Sequence, residues 1–355
     1  MRNLFVIHSQ AQLILSVGLV TGRFLNQDNH LILFTDFAIE DGMKSKLKEI
    51  FNKVAFLTGI FPAINRGWKA KITRYPEDIR MLKKFMDLPY DKVFEVCDGN
   101  LPEIYILKNA FRLNNAVEMI WLEDGSYPYY LNIHEVDGLN SNIFTRSLRK
   151  IVFKHMFRLG SYYNFEGNFM GSNVNFKQRY LTFAGCEREI FRSKEIVQID
   201  HREYRNGVKV LYDNTSLNID RNAVILVLDK LDVYTELENI KLLVNEISAL
   251  AKKSHRKLYY KLHPREENGL EELGSFAALD KNLGIEHYYS NLENNNILVL
   301  GVKSTGLQSA ILFGFKTVSV AKLAGEKDNE LFKFFEDIGV LLPKSLDELV
   351  EIMGK

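Results

Sequence analysis

The sequence predicts an α/β protein built from two doubly wound parallel sheets, each covered by helices on both faces. Three observations lead there. Short apolar runs alternate with longer amphipathic ones along most of the chain, as in a parallel sheet with crossover helices. The alternation blurs between about residues 137 and 212 and then restarts. A length of 355 residues exceeds what one ordinary core encloses, which favours two domains. The expected division is 1–205 and 206–355, with two lobes facing each other across a cleft.

The elements follow in order. Asn3–His8 reads as a strand and Gln10–Phe24 as a helix with Leu13, Val17 and Val20 on one face. His30–Thr35 is a strand, Asp41–Phe51 a helix and Lys53–Leu57 a strand. Pro76–Met86 reads as a helix with proline in its first turn. Asp91–Cys97, Pro102–Leu113 and Val117–Leu122 continue the alternation as strand, helix and strand. After the blurred stretch come strand Ala223–Leu228, helix Glu236–Lys253 and strand Lys257–Leu262. Gly284–Tyr288, Ile297–Leu300 and Thr317–Val320 are expected to complete the second sheet. Helices are expected near Thr305–Phe313, Asn329–Phe335 and Ser345–Ile352.

Composition narrows the function class. Apolar residues are 46% and charged residues 26% of the chain, as in a globular protein. A net charge of +1 gives no overall field for nucleic acid. Cys97 and Cys186 stand far apart and form no metal-type cluster, so no metal site is expected. No run of about 18 apolar residues occurs, and the N-terminus enters an apolar strand without a signal-peptide pattern. A cytoplasmic location is expected.

Ligands of such sheets sit beyond the carboxyl ends of strands, and three strand tips carry chemistry. The first is Glu123-Asp124-Gly125. A carboxylate there can take a proton if its pKa is tuned upward, and an adjacent acid helps raise it. Gly125 lets the backbone turn sharply. A solvated acidic turn is the plain alternative. The second is His263-Pro264, where proline fixes the strand exit and the imidazole could hold a phosphate or protonate a leaving group. A surface histidine in a turn is its alternative. The third is Ser304-Thr305-Gly306, a helix start whose hydroxyls and free N–H groups suit an anion. An ordinary N-cap fits the same residues. It is no Walker loop, since Val302 precedes Lys303.

Other residues are candidates by position. Glu293, in a polar loop, could accept ribose hydroxyls. His8, Ser9 and Gln10–Gln12 follow the first strand and could line the cleft floor, with a satisfied polar residue as the alternative for His8. Arg146, Arg149, Lys150, Lys154 and Arg158 interleave with apolar residues across 142–163. That segment could lie on an anionic membrane surface, pack on its own domain, or form a groove for an anionic acceptor.

Glu-Asp-Gly, then His-Pro, then Ser-Thr, in that order, resembles the bacterial sialyltransferases. The opening Asn3-Leu4-Phe5-Val6-Ile7-His8-Ser9-Gln10-Ala11-Gln12-Leu13 is similar to the lipooligosaccharide sialyltransferase and capsular polysialyltransferase groups. The resemblance implies a GT-B fold of two Rossmann-like domains. It implies an inverting, metal-independent transfer from CMP-sialic acid to a glycan acceptor, with no cofactor. Carried over, Glu123 would be the general base, Asp124 its support and Gly125 the turn-former. His263, held by Pro264, would contact the CMP phosphate and assist departure. Ser304, Thr305 and Gly306 would bind that phosphate. Glu293 is not secured by the motif.

The alternatives are a Kdo transferase of capsule assembly, a sugar-nucleotide epimerase or hydrolase, and a non-catalytic nucleotide-binding scaffold on the same fold.

Overall fold

The structure, a computed structural model, describes residues 1–354 except 38, 60–66, 131–150, 152–154, 156–158, 163, 167–168, 213–218, 235, 265, 268 and 293–295. Glu293 and the five basic residues of the 142–163 segment therefore lie outside the described residues. The chain divides into two compact units, Met1–Leu211 and Tyr212–Lys355. A division after residue 205 would cut the helix His201–Tyr212.

Unit 1 is a seven-stranded parallel sheet. Its strands are β1 (Arg2–Ile7), β2 (Asp28–Thr35), β3 (Lys53–Thr58), β4 (Lys92–Glu95), β5 (Glu118–Leu122), β6 (Phe176–Leu181) and β7 (Glu195–Gln198). Their order is β3-β2-β1-β4-β5-β6-β7, and every pair is parallel. Order reverses between β1 and β4, the crevice where doubly wound sheets bind ligands. The strands β1 and β2 are almost wholly buried, with apolar runs Leu4–Ile7 and Leu31–Phe34 at their centres and ends, as in a sheet covered on both faces. Phe5 of β1 stacks on Phe94 of the neighbouring β4 at 4.5 Å.

Among the described residues, five helices belong to this unit: α1 (Gln10–Thr21), α2 (Asp41–Ile50), α3 (Gly67–Phe85), α4 (Leu101–Leu113) and α5 (His201–Tyr212). A capping box starts α1: Ser9 Oγ accepts from the Gln12 N–H, and the Gln12 side chain accepts from the Ser9 N–H. Against α1 lies α5, in close backbone contact. A Cβ on Gly18 would stand 2.1 Å from the Glu203 carbonyl oxygen, and one on Gly207 would stand 2.2 Å from that of Ile14. Only glycine allows such an approach.

Unit 2 is a five-stranded parallel sheet of β8 (Ala223–Val227), β9 (Lys257–Lys261), β10 (Ala277–Ala278), β11 (Leu298–Gly301) and β12 (Lys316–Ser319). The order is β10-β9-β8-β11-β12, so its reversal falls between β8 and β11. Its helices are α6 (Leu237–Lys253), α7 (Ile285–Ser290), α8 (Thr305–Phe313), α9 (Asn329–Asp337) and α10 (Leu346–Gly354). Among the described residues no helix is long and apolar enough to cross a membrane.

Three expectations are corrected. Pro76 lies inside α3, which begins nine residues earlier at Gly67. Gly284–Tyr288 is not a strand: Gly284 precedes α7, whose Ile285, Tyr288 and Tyr289 are buried at helical spacing. The edge strand is instead the two-residue β10. The blurred stretch contains β6, β7 and α5.

Candidate active-site edges

In unit 1 the acid turn follows β5. The strand delivers Trp121 into the core, where its indole N–H donates to the Val96 carbonyl at 2.9 Å. Glu123 is still tied to the sheet, its N–H donating to the Tyr180 carbonyl. Gly125 adopts φ +51, the left-handed conformation the reversal requires.

The two acids occupy different settings. Glu123 is 4% exposed. Its Oε1 accepts from Thr182 Oγ1 at 2.7 Å, and its Oε2 accepts from the Thr182 N–H at 2.8 Å and from the Tyr129 hydroxyl. Burial raises its pKa against those hydrogen bonds, to about 7. Asp124 is half-buried. Its Oδ1 accepts from Gln12 Nε2 at 2.6 Å, while its Oδ2 has no hydrogen bond among the described residues. Burial raises its pKa too, and the Gln12 amide and the His8 charge pull it back.

His8 closes β1. Its Nδ1 lies 3.0 Å from Asp36 and its Nε2 2.9 Å from Glu103, and the ring stacks on Phe34 at 4.2 Å. Burial alone would lower its pKa. The two carboxylates outweigh that and raise it to about 9, so the ring is an imidazolium at neutral pH. At the end of β4, Glu95 is fully buried and neither of its oxygens has a hydrogen-bond partner among the described residues. Burial pushes its pKa well up.

In unit 2, His263 and Pro264 follow β9 and Ser304 follows β11. These strands flank β8 on either side, so the two motifs stand about 10 Å apart as strand tips. His263 is half-buried and Pro264 exposed. Ser304 is the N-cap of α8, its Oγ accepting from the Gly306 N–H at 3.3 Å, and Thr305 is exposed at the first helical position. A Cβ on Gly306 would lie 2.9 Å from Val227 Cγ1 and 3.2 Å from Ile285 Cγ2, so glycine seats this helix start on β8 and α7. Lys303 Nζ is held by the Val233 carbonyl and Glu326.

Sequence reasoning missed Asp229 at the tip of β8, between the two motifs. Its Oδ2 accepts from the Tyr234 hydroxyl at 3.1 Å and the Lys303 N–H at 3.4 Å, and burial pushes its pKa to about 6. The strand-tip argument that found Glu123 would have found it. It also missed Tyr129 and Thr182 on Glu123, Asp36 and Glu103 on His8, and the buried Glu95. Thr182 could not have been found locally, for it stands 59 residues from Glu123.

Solved structures place the fold. The chain is similar to an α/β-galactoside α-2,3-sialyltransferase from Photobacterium phosphoreum, at 12% identity over 96% of each chain with a TM-score of 0.57. It is similar to the UDP-GlcNAc 2-epimerase of Methanocaldococcus jannaschii, at 12% identity over 99% of this chain and 91% of the other, TM-score 0.56. A sialyltransferase from Photobacterium damsela gives 11% identity, 96% and 81% coverage and a TM-score of 0.51. These likenesses fix the fold as α/β of the GT-B type, as expected from sequence. No curated protein matches the chain. The family model of the alpha-2,8-polysialyltransferases matches residues 3–322, nearly the whole sequence, and the chain belongs to that family.

Proposed function

We propose that the protein transfers sialic acid from CMP-sialic acid to a hydroxyl of a sialylated surface glycan, with inversion and without a metal or cofactor. Family membership supports sialyl transfer. The observation that carries the chemistry is the open Oδ2 of Asp124 at the ligand-binding edge of unit 1. The role expected of Glu123 passes to Asp124 in this reading. Glu123 has both oxygens occupied by Thr182 and Tyr129 and builds the turn.

The steps balance simply. The acceptor oxygen attacks the anomeric carbon and its proton goes to Asp124. The bond from that carbon to the CMP phosphate breaks, and the electron pair leaves on the phosphate oxygen. His263, the N–H groups at the start of α8 and Thr305 stabilise that charge as it develops. Gly306 lets α8 begin close to the sheet. Asp229 and Glu293 offer carboxylates for the nucleoside. A cytoplasmic enzyme held to an anionic membrane surface by 142–163 completes the proposal. Neutralising Arg149, Lys150 and Lys154 should then reduce vesicle flotation.

The test is a donor panel of CMP-sialic acid, CMP-Kdo and CMP-legionaminic acid with a sialylated oligosaccharide, read by CMP release and product mass. Mass gain from CMP-sialic acid is expected. Turnover of CMP-Kdo alone would replace the reading by a Kdo transferase, and free sugar without transfer would make the protein a hydrolase.

A further inference from the structure

Gln12 does more than a cap requires. A Ser-x-x-Gln box needs only the side-chain oxygen of its last residue, and glutamate serves equally well there. Here that oxygen accepts from both the His8 N–H at 2.7 Å and the Ser9 N–H at 3.1 Å. Two backbone donors thereby fix which end of the amide faces away. The Nε2 that remains is aimed at Asp124 Oδ1 at 2.6 Å. A glutamate would keep the cap and turn an oxygen toward Asp124 instead. The neighbouring His8 is clamped on its other sides by Asp36 from the end of β2, Glu103 from α4 and the Phe34 ring. Of the other acids of this edge, Glu95 ends β4 and Asp98 follows it.

We propose that Gln12 is a positioning residue for Asp124: the amide fixes one carboxylate oxygen so that the other is presented to the acceptor. The inference rests on the sialyl-transfer reading and deepens it. It divides the β1–α1 turn into a structural half, Ser9, and a half directed at the reaction.

The decisive variant is Gln12→Glu, which retains the cap and reverses the contact. Its melting temperature should stay within a few degrees of wild type. Its kcat with CMP-sialic acid should fall about ten- to a hundredfold, the usual scale for a misplaced reacting group. The donor KM should hold, and the acid limb of the kcat profile should move to higher pH. Wild-type kcat and an unmoved limb in Gln12→Glu would overturn the inference. If wild-type protein transfers no sugar, the function reading fails, and a carbon-13 NMR titration of Asp124 still decides this one. A higher Asp124 pKa in Gln12→Glu supports it, and an unchanged value overturns it.

Discussion

Unit 1 should lose stability as pH rises from 5 to 9, and two side chains should account for it. Glu123 has a folded-state pKa of about 7 against an ordinary 4.5. The folded chain binds that proton more tightly than the unfolded one, so the associated stability is full below 4.5 and is lost as pH rises through 7. His8 has a folded-state pKa of about 9 against 6.5, so its contribution is full below 6.5 and is lost on the way through 9. Each pH unit is worth about 1.4 kcal/mol, so each group removes about 3 kcal/mol over its window. Glu123→Gln should abolish the loss between pH 4.5 and 7 and leave the loss between 6.5 and 9. His8→Gln should do the reverse. Both tryptophans, Trp68 and Trp121, lie in unit 1, so urea unfolding followed by their fluorescence reports this unit. A Glu123→Gln protein with the wild-type slope between pH 5 and 7 would refute the account of Glu123 as a buried, structurally engaged acid.

Other expectations follow from the same geometry. Asp124→Asn should lower kcat about a hundredfold to ten-thousandfold. Its urea midpoint should barely move, because the asparagine oxygen can still accept from Gln12. His263→Ala should raise the donor KM or slow transfer about tenfold or more, measured with CMP-sialic acid, and a His263 confined to a surface turn would alter neither. Gly207→Ala places a methyl group 2.2 Å from the Ile14 carbonyl oxygen. It should cost about 1–3 kcal/mol, seen as a lower urea midpoint at unchanged m value.

The fold was legible wherever apolar runs and turns agreed. Both sheets could be read from their buried strands, because a parallel strand covered on both faces has no choice but to be apolar. The failures have local causes. Strand β6 carries Lys177, Gln178 and Arg179, and Arg179 is buried because its guanidinium donates to the Phe191 and Gly171 carbonyls. A sequence cannot show that a charge has found such partners. Strand β7 is a four-residue edge with exposed ends, too short for a period to register. In α7 the two tyrosines favour a strand by propensity, and burial against the sheet overrides them. Proline in α3 read as a helix start because that is its commonest helical position, yet the helix continues on both sides of it.

The candidate site was legible as strand tips. The division of labour within it was not. Adjacent acids look alike in sequence, and what separates Glu123 from Asp124 is Thr182 on the neighbouring strand's exit and Gln12 on a helix more than a hundred residues earlier. Tertiary pairing decides which carboxylate is closed and which is open.

The most direct test of sialyl transfer through Asp124 is the mass of a sialylated oligosaccharide after incubation with CMP-sialic acid, using wild-type and Asp124→Asn proteins of equal stability. The account predicts added sialic acid residues with wild type and almost none with the variant. Equal product from both, or none from folded wild-type protein, would contradict it.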